Sequence, residues 1–519
     1  MTDNPAASSE SSDGSVQSAD APNLAYGSRT AAWVLLATIL GSSMASLDAT
    51  VVGIALPDIG KDFHATVAGL QWVVTAYTLS LAGLLLLGGS LGDRLGRRRV
   101  FRIGVMGFAA TSTLCAVAPS IGFLIAARML QGASAAMLTP GSLAILEASF
   151  RPEDRSRAIG AWTAFGGIAG ALGPFVGGWL IVAVSWRLIF LLNLPLALLV
   201  VLATSRHVPE SLDPTANAGT DFKGAIAITF GLALITYGLI SAPSSGWSSL
   251  ETLGLLVGGV ASLVAFVVIE AREKMPMLPV EMFRSTQFLA ANGVTLIVYA
   301  ALSGAFFLLP VVLEQLVGYT PLLAGASVLP VTAIMFAFSA RSGALASRIG
   351  PRLQMTVGPL VIGGGLLLFG RITATGTYIG QVLPAVLVFG VGLMITVAPL
   401  TATALAAAPA KHAGMASAVN NDVARTGGLL AVALLPVLAG ITGNVYLHPL
   451  ALAHGFRLAM EMAALACAAG GILAAVGIRN GDLTRRSQHG RLAVAPRNVP
   501  GYGASIKASA TSADDGRLP

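Results

Sequence analysis

The chain has 519 residues, of which 55% are hydrophobic and 11% charged, and its mean hydropathy is +0.78. An ordinary soluble domain is roughly one quarter charged, so the composition excludes a soluble globular protein and predicts a membrane protein. The net charge of +7 is spread over short loops between apolar runs rather than gathered on one soluble face, which argues against nucleic acid binding.

Apolar runs of about 20 residues recur along the chain, and a helix of that length crosses a hydrocarbon core of roughly 30 Å. Residues 1–30, rich in Ser, Ala, Asp and Gly, are predicted to be a disordered tail. The next run is too long for a signal-peptide core, so we interpret it as the first membrane helix. Hydropathy predicts about fourteen membrane spans, at 32–56, 70–91, 100–118, 122–147, 156–183, 187–204, 222–241, 251–270, 288–316, 322–346, 353–370, 377–405, 413–442 and 454–477.

Lys and Arg are concentrated in the segments that follow even-numbered spans: "DRLGRRRVFR", "RPEDRSR", "EAREKMPMLPVEMFR" and "SRIGPR". Segments on the other side, such as "APSIG", "APSSGWSSLE" and "GYTP", are nearly free of basic residues. The positive-inside rule therefore predicts a multi-pass protein of the inner (cytoplasmic) membrane with both termini in the cytoplasm.

The pattern G-x-L-x-x-R-x-G-x-R occurs twice, at 89–98 and again at 343–352. This internal repeat predicts an all-α membrane protein of two six-helix bundles with two extra helices between them, a known transporter plan. We predict the bundles at 31–204 and 288–478, a linker with spans 7 and 8 at 205–287, and a second cytoplasmic tail at 479–519.

Six motifs together resemble the major facilitator superfamily, specifically its fourteen-spanner drug:proton antiporter branch. They are "LDATVVGIALPDIG" (47–60), "GGSLGDRLGRRRVFRIG" (88–104), "RMLQGASAA" (128–136), "GALGPFVGGWL" (170–180), "SWRLIFLLNLP" (185–195) and "NNDVARTGG" (420–428). Several ordered motifs are more specific than any single glycine pattern. The resemblance implies a proton-coupled antiporter that exports lipophilic or cationic drugs across the cytoplasmic membrane by alternating access.

Two alternatives stay open at this stage: a dedicated exporter of one endogenous product, such as an antibiotic, lipid or siderophore, and a transport-inactive sensor or scaffold. The sequence contains no Walker sequence, HExxH or paired CxxC, so we predict no enzymatic activity, cofactor or metal. The predicted partners are a small substrate, protons and the lipid bilayer, and the predicted state is a monomer.

Asp48 lies inside the first apolar run, where a bare carboxylate is costly and indicates function. It lies roughly 13 Å from the outer end of span 1, and Arg128 lies roughly 10 Å from the outer end of span 4, so the two could meet. Arginine favours the ionised acid and burial favours the neutral acid, which predicts a proton switch. The alternative is a static ion pair, and the resemblance favours the switch.

Asp422 and Arg425 are three residues apart on span 13 and share one helical face. They are candidates for proton coupling, with mutual compensation within the helix as the alternative. The arginine fits the family pattern, whereas the aspartate does not. Glu314, near the outer end of span 9, is a third candidate, for which a solvated helix end is the alternative.

The loop between spans 2 and 3 is a predicted gate of Gly89, Asp93, Arg94, Gly96, Arg97 and Arg98. Its arginines anchor topology by the positive-inside rule, and the resemblance implies that the loop latches the halves in an outward-open state. Asp93 could accept hydrogen bonds from the N-terminus of span 13, near 413–415. The repeat has Ser347 at the equivalent position, which predicts an asymmetric latch.

Small residues on span 5 form a predicted packing surface that lets another helix approach closely: Gly166, Gly170, Gly173, Pro174, Gly177 and Gly178. Simple packing is the alternative to the antiporter role that the resemblance implies. Trp72, Tyr77, Phe306 and Phe307 are candidates for the substrate cavity, although most such side chains face lipid or core.

Overall fold

The computed structural model describes residues 24–212, 222–273, 280–408 and 413–480. The predicted tails at 1–23 and 481–519 lie outside these residues. The described chain folds into fourteen long helices: α1 Arg29–Asp62, α2 Val67–Leu95, α3 Arg97–Ala116, α4 Ile121–Ser149, α5 Pro152–Ala183, α6 Leu188–His207, α7 Phe222–Ser245, α8 Leu250–Arg272, α9 Thr286–Gln315, α10 Pro321–Ile349, α11 Arg352–Phe369, α12 Tyr378–Ala406, α13 Ala413–Leu438 and α14 Pro449–Gly477.

In the described ranges, thirteen of these helical segments are long and apolar enough to cross a membrane. The remaining one, α3, has 20 residues and carries Arg97, Arg98, Arg99 and Arg102 in its first turns. These charges lower its mean hydropathy, although its length still suffices for a tilted or locally thinned crossing. The predicted all-α membrane fold is confirmed.

Two of the helices are interrupted at positions that proline explains. Helix α6 consists of Leu188–Leu191 and Asn193–His207, because Pro195 has no N–H to bond the carbonyl of Leu191. Helix α10 is likewise divided between Ser327 and Leu329, two residues ahead of Pro330.

The helices form two sets with the same internal contacts. In the first set, α1 packs on α5 and α6, α2 on α4, and α3 on α4 and α6. In the second set, α9 packs on α13 and α14, α10 on α12, and α11 on α12 and α14. The N-terminal half (α1–α6) and the C-terminal half (α9–α14) are therefore two copies of one bundle, as the sequence repeat predicts. The residue boundaries given above for these domains stay predictions.

Helices α7 and α8 pack on each other, and α7 also lies against α2 and α13. In the two-fold relation between the halves, α2 corresponds to α10 and α13 corresponds to α5. The contact between α2 and α13 is therefore equivalent to the contact between α5 and α10, and we call each of these contacts a seam between the halves. The α7–α8 hairpin covers the first of these two seams.

The halves meet at the end of the bundle opposite to the chain termini, which we call the distal end. Four hydrogen bonds between described residues join them there. Gln71 Nε2 donates to the carbonyls of Val432 at 2.7 Å and Ala433 at 3.0 Å, and Val67 N donates to Gly443 O at 2.8 Å. Tyr446 Oη donates to Ala65 O at 2.7 Å.

Tyr446 belongs to the α13–α14 connection and is 2% exposed. Burial raises the pKa of its phenol, which therefore remains a hydrogen-bond donor at neutral pH. Since its acceptor lies in the α1–α2 connection, the ring ties a loop of one half to a loop of the other.

The segment before α1 is ordered from residue 24. Leu24 N donates to Ser149 O at 2.9 Å, and Tyr26 N donates to Asp154 Oδ2 at 2.8 Å. The Arg157 guanidinium lies 4.2 Å from the centre of the Tyr26 ring. These groups anchor residues 24–26, which fall within the predicted tail, to the α4–α5 connection.

Candidate functional site

Asp48 of α1 and Arg128 of α4 form a buried ion pair through Arg128 Nη1 and Asp48 Oδ2. The Asp48 side chain is 0% exposed and that of Arg128 is 1% exposed. The two residues that the sequence placed at similar depth are therefore in direct contact. A buried pair of this kind needs further hydrogen bonds to offset its desolvation.

Two side-chain amides supply these bonds to the carboxylate, and a serine hydroxyl accepts from both amides. Gln131 Nε2 donates to Asp48 Oδ1 at 2.9 Å, and Asn193 Nδ2 donates to the same oxygen at 3.2 Å. Ser112 Oγ accepts from both amides, at 2.8 Å from Gln131 and 3.2 Å from Asn193. All three residues are 0% exposed. Asp48 thus lies in a closed cage built from α1, α3, α4 and α6.

Arg128 has partners besides Asp48. Its Nε donates to Val73 O at 3.1 Å, and its Nη1 donates to Gln131 Oε1 at 2.6 Å. The guanidinium carbon lies 4.3 Å from the centre of the Tyr77 ring, within range of a cation–π interaction. The arginine therefore has several stabilising contacts that do not depend on the carboxylate.

Sequence reasoning missed the cage residues. Gln131 follows Arg128 by three positions, and this helical spacing places both on one face of α4, so the signal was present. Asn193 is a polar residue in an otherwise apolar run, which also indicates a role. Ser112 gave no usable signal, since a serine hydroxyl in a membrane helix commonly bonds its own backbone.

Asp422 and Arg425 lie in α13 but form no ion pair with each other within 4 Å. Asp422 Oδ1 and Arg425 Nε are buried and have no hydrogen-bond partner. The charge of Arg425 acts on the phenols of Tyr77 in α2 and Tyr299 in α9. The charge of Arg425 also acts on Asp422, so proton coupling and mutual compensation within the helix both stay predictions, while each group keeps one buried atom without a hydrogen-bond partner.

Glu314 lies next to the C-terminal residue of α9, at the distal end. Its Oε1 is buried without a hydrogen-bond partner, and the nearest charges acting on it are Asp58 and Lys61 of α1. Glu314 is therefore not a freely solvated helix end, because it faces the other half across the distal contact.

The residues of the predicted gate lie at the junction between the end of α2 and the start of α3. Asp93 Oδ1 accepts from Arg97 Nε at 2.8 Å, and Gly96 ends α2 with a φ of 104° that favours glycine. Arg98 N donates to Glu210 Oε1 at 3.0 Å, and its guanidinium donates to Val208 O at 2.9 Å.

Gly89 and Arg94, the other two gate residues, lie in the last turns of α2, with Gly89 beside Pro140. The segment after α6 thus caps α3 through Glu210. In the second half, Asn480 Oδ1 accepts from Arg352 N at 3.1 Å, an equivalent cap without the charge. The predicted hydrogen bonds from residues 413–415 of span 13 to Asp93 stay a prediction.

The glycines of α5 allow two neighbouring helices, α1 and α10, to approach closely. A Cβ at Gly177 would lie 3.0 Å from Val51 of α1, and one at Gly173 would overlap Thr50. A Cβ at Gly178 would overlap the backbone of Pro321 in α10. The contact is reciprocal, because a Cβ at Gly325 of α10, which sequence reasoning missed, would overlap the carbonyl of Pro174.

The predicted stripe is used only toward the distal end. Gly170 would place a Cβ 3.9 Å from Ser46, and a Cβ at Gly166 would meet nothing within 4 Å. The predicted close approach of other helices is therefore present at Gly173, Gly177 and Gly178, whereas α5 is open at Gly166; the antiporter role of these glycines stays a prediction.

The four cavity candidates occupy different places. Trp72 of α2 packs against Tyr237 of α7, with ring centres 5.9 Å apart, beside a cluster that includes Leu429 of α13. Tyr77 is the buried ring under Arg128. Phe307 is 6% exposed and belongs to the core, whereas Phe306 is partly buried beside Phe389. Hydropathy alone does not tell which face of a helix a ring occupies.

Comparison with known proteins gives one family. Residues 38–433 match the sequence profile described as Major Facilitator Superfamily. The chain is 33% identical to the tetracenomycin C resistance and export protein of Streptomyces glaucescens, over 81% of this chain and 79% of that protein. It is 36% identical to multidrug resistance protein Stp of Mycobacterium tuberculosis, over 78% of this chain and 75% of that protein.

Among solved structures, a bacterial homologue of the human lysosomal transporter Spinster in an inward-facing and unoccupied conformation has a TM-score of 0.60. It is 17% identical and is aligned over 87% of this chain and 98% of that chain. This likeness concerns the fold.

Proposed function

Since the chain belongs to the major facilitator superfamily, we propose that it is a proton-coupled antiporter that exports lipophilic or cationic antibiotics and drugs from the cytoplasm. Membership implies a multi-pass membrane transporter rather than an enzyme. The relatives named above are antibiotic resistance and export proteins, which supports export of small antimicrobial molecules. The observation that carries the proton coupling is the enclosed Asp48–Arg128 pair.

The proposed orientation places both termini in the cytoplasm of a cell whose inner membrane holds the protein as a monomer. The basic loops lie at the same end as the termini, which supports this orientation. The distal end is then extracellular. In this orientation, the contact of the halves at the distal end and the open space beside Gly166 of α5 nearer the termini support an inward-open conformation.

The proposed cycle uses Asp48 as the proton carrier. In the outward-open state the carboxylate takes up a proton and the substrate leaves to the outside. The halves then close distally, and the substrate that enters from the cytoplasm displaces the proton to the inside. Arg128 stabilises the ionised carboxylate, while its bonds to Val73 O and Gln131 hold it in place when Asp48 is neutral.

The direct test is Asp48→Asn in proteoliposomes with a pH-sensitive dye inside and ethidium as the transported cation. We expect ethidium-driven proton movement to fall to background, because asparagine cannot carry a proton, while the protein remains folded and inserted. Glu461→Gln is the matched control, since Glu461 pairs with Arg457 on α14 at 2.8 Å and is exposed. Unchanged antiport in Asp48→Asn would refute the assignment.

A dedicated exporter of one endogenous product is the second candidate, which the name of the Streptomyces glaucescens relative favours. A resistance panel of dyes and antibiotics in an efflux-deficient host, with and without an uncoupler, separates the two. Broad, uncoupler-sensitive resistance supports multidrug export, and protection against a single compound supports the dedicated exporter. Absence of any uncoupler-sensitive resistance would contradict both.

A further inference from the structure

The amide of Asn193 is oriented by the charge of Asp48. Its Nδ2 donates to Asp48 Oδ1 and to Ser112 Oγ, both at 3.2 Å, and the residue is 0% exposed. Its Oδ1 is buried with no hydrogen-bond partner. An ionised carboxylate only accepts hydrogen bonds, so the NH₂ group must face it and the amide oxygen must face away.

The cage as it stands suits only the ionised form of Asp48. Arg128, Gln131 and Asn193 all donate to the carboxylate. A protonated Asp48 becomes a donor itself and needs an acceptor, because a buried donor without one is unfavourable.

The cage offers few acceptors for that proton. Gln131 Oε1 already accepts from Arg128 at 2.6 Å and from Cys115 Sγ at 3.5 Å. Val73 O accepts from Arg128, and the Tyr77 hydroxyl donates to Ala45 O at 3.2 Å. Of the cage amides, Asn193 is the one whose oxygen has no partner.

We propose that Asn193 is a positioning residue whose amide turns over when Asp48 takes up a proton, so that Asn193 Oδ1 accepts the new O–H of Asp48. This inference rests on the proposed role of Asp48 in proton coupling. The turn needs only rotation about the bond between Cβ and Cγ, a torsion with a broad, two-fold profile, and no movement of α6.

The hydrogen bonds balance in the two states. With Asp48 ionised, the Asn193 NH₂ makes two bonds and the oxygen none. After the turn, the oxygen accepts from Asp48 and from the rotated Ser112 hydroxyl, and the NH₂ makes none. One end of the amide is unsatisfied in each state, but Asp48 has a partner in both: its carboxylate accepts from the NH₂ group, and its acid O–H donates to the amide oxygen.

The other charged and titratable groups facing Asp48 keep their places in this scheme. Arg128 from α4 remains charged and bonded to Val73 O and Gln131. Tyr77 from α2 and Cys115 from α3 remain protonated donors. The transferred proton comes from the aqueous phase, resides on Asp48 and returns to the aqueous phase; Asn193 neither gains nor loses one.

The test is difference infrared spectroscopy of the full chain in lipid, between low and high pH. Asp48→Asn identifies the C=O band of protonated Asp48 by its loss. In Asn193→Leu, a substitution of similar size without donor or acceptor, we expect that band to move to higher frequency, because the acid O–H has lost its acceptor. Asn193→Ser, whose hydroxyl can donate or accept by rotation, should lie closer to the native frequency.

The pH titration of the same band supplies a second readout. We expect the midpoint in Asn193→Leu to rise by about one pH unit, a tenfold change, because the bond lost to the carboxylate is charge-assisted and roughly twice as strong as a neutral bond. Asn420→Leu is the matched control. Asn420 is an equally enclosed amide of the C-terminal half, 6% exposed, that bonds Asn292 at 3.1 Å and Thr295 at 2.8 Å.

The outcomes separate the two claims. If Asp48→Asn removes no acid band, the proton does not reside on Asp48 and the proposed coupling fails. If the band is present but keeps its frequency and midpoint in Asn193→Leu, the coupling stands and the amide switch is refuted. An equal shift of the Asp48 band in Asn420→Leu also refutes the amide switch, since the shift would then reflect a general loss of packing in the bundle.

Discussion

The two halves repeat one bundle but use their buried charges differently. In the N-terminal half, the Asp48–Arg128 pair is fully enclosed and the carboxylate accepts from three side chains. In the C-terminal half, Asp422 and Arg425 share a helix, do not pair within 4 Å and each retain an unpartnered atom. The N-terminal carboxylate is therefore saturated with hydrogen-bond donors, whereas the C-terminal charges keep unused hydrogen-bonding capacity.

The largest expected contrast is between Arg128→Ala and Arg425→Ala. Arg128→Ala leaves a buried carboxylate without its counter-charge, so we expect a loss of about 3–5 kcal/mol in unfolding free energy and no transport. Arg425→Ala breaks no hydrogen bond through Nε, so we expect stability to change by less than about 1 kcal/mol and substrate preference to change instead.

Thermal unfolding in detergent and an ethidium transport assay measure the two effects. Similar destabilisation by both variants would contradict the proposed difference between the two halves, in which only the N-terminal charges are saturated with hydrogen bonds.

A smaller effect is expected where the halves touch. Gly178→Ala places a Cβ against the backbone of Pro321, and such overpacking costs roughly 1–3 kcal/mol. Because this contact exists only when the distal end is closed, we expect the variant to favour the outward-open state.

Double electron–electron resonance between spin labels at the distal ends of α5 and α10 measures the change. Gly166→Ala is the matched control, since a Cβ there meets nothing within 4 Å. A distance distribution unchanged by Gly178→Ala would show that this contact does not limit opening.

The smallest expected effect concerns the two copies of the loop that precedes α3 and α11. Asp93 pairs with Arg97 at 2.8 Å, and the equivalent Ser347 hydroxyl bonds its own helix at Ala344 O, 2.8 Å away. We expect Asp93→Asn to lower the transport rate about three- to tenfold, in line with ~1 kcal/mol for a charge at a helix terminus.

Ser347→Asp should change the transport rate little, because the predicted latch uses an acid only in the first half. Transport rates in proteoliposomes with equal protein content measure both variants. An equal loss in the two would mean that the latch is symmetric.

The fold followed from the sequence to a large extent. Hydropathy located the spans, and the repeat at 89–98 and 343–352 predicted the two-fold plan, because both depend on local composition. Asp48 and Arg128 were matched by depth alone, since each is one charge in an apolar helix.

Contacts across helices were not predictable in the same way. Nothing in the sequence says that Asn193 of α6 and Ser112 of α3 turn toward Asp48, because helix rotation depends on packing among several helices at once. The Glu210 cap on α3 was missed because the linker carries no periodic signal that fixes its path.

The α7–α8 hairpin makes the two lipid-facing sides of the molecule, at the two seams between the halves, different from each other. The α2–α13 seam is covered by α7, and its two-fold equivalent between α5 and α10 is closed only at the distal end, by glycines in direct backbone contact. A lipid or a bilayer-dissolved molecule that approaches from one side therefore meets an added pair of helices, and from the other side it meets the moving helices themselves. A protein built from two equal halves thus presents unequal flanks to the membrane around it.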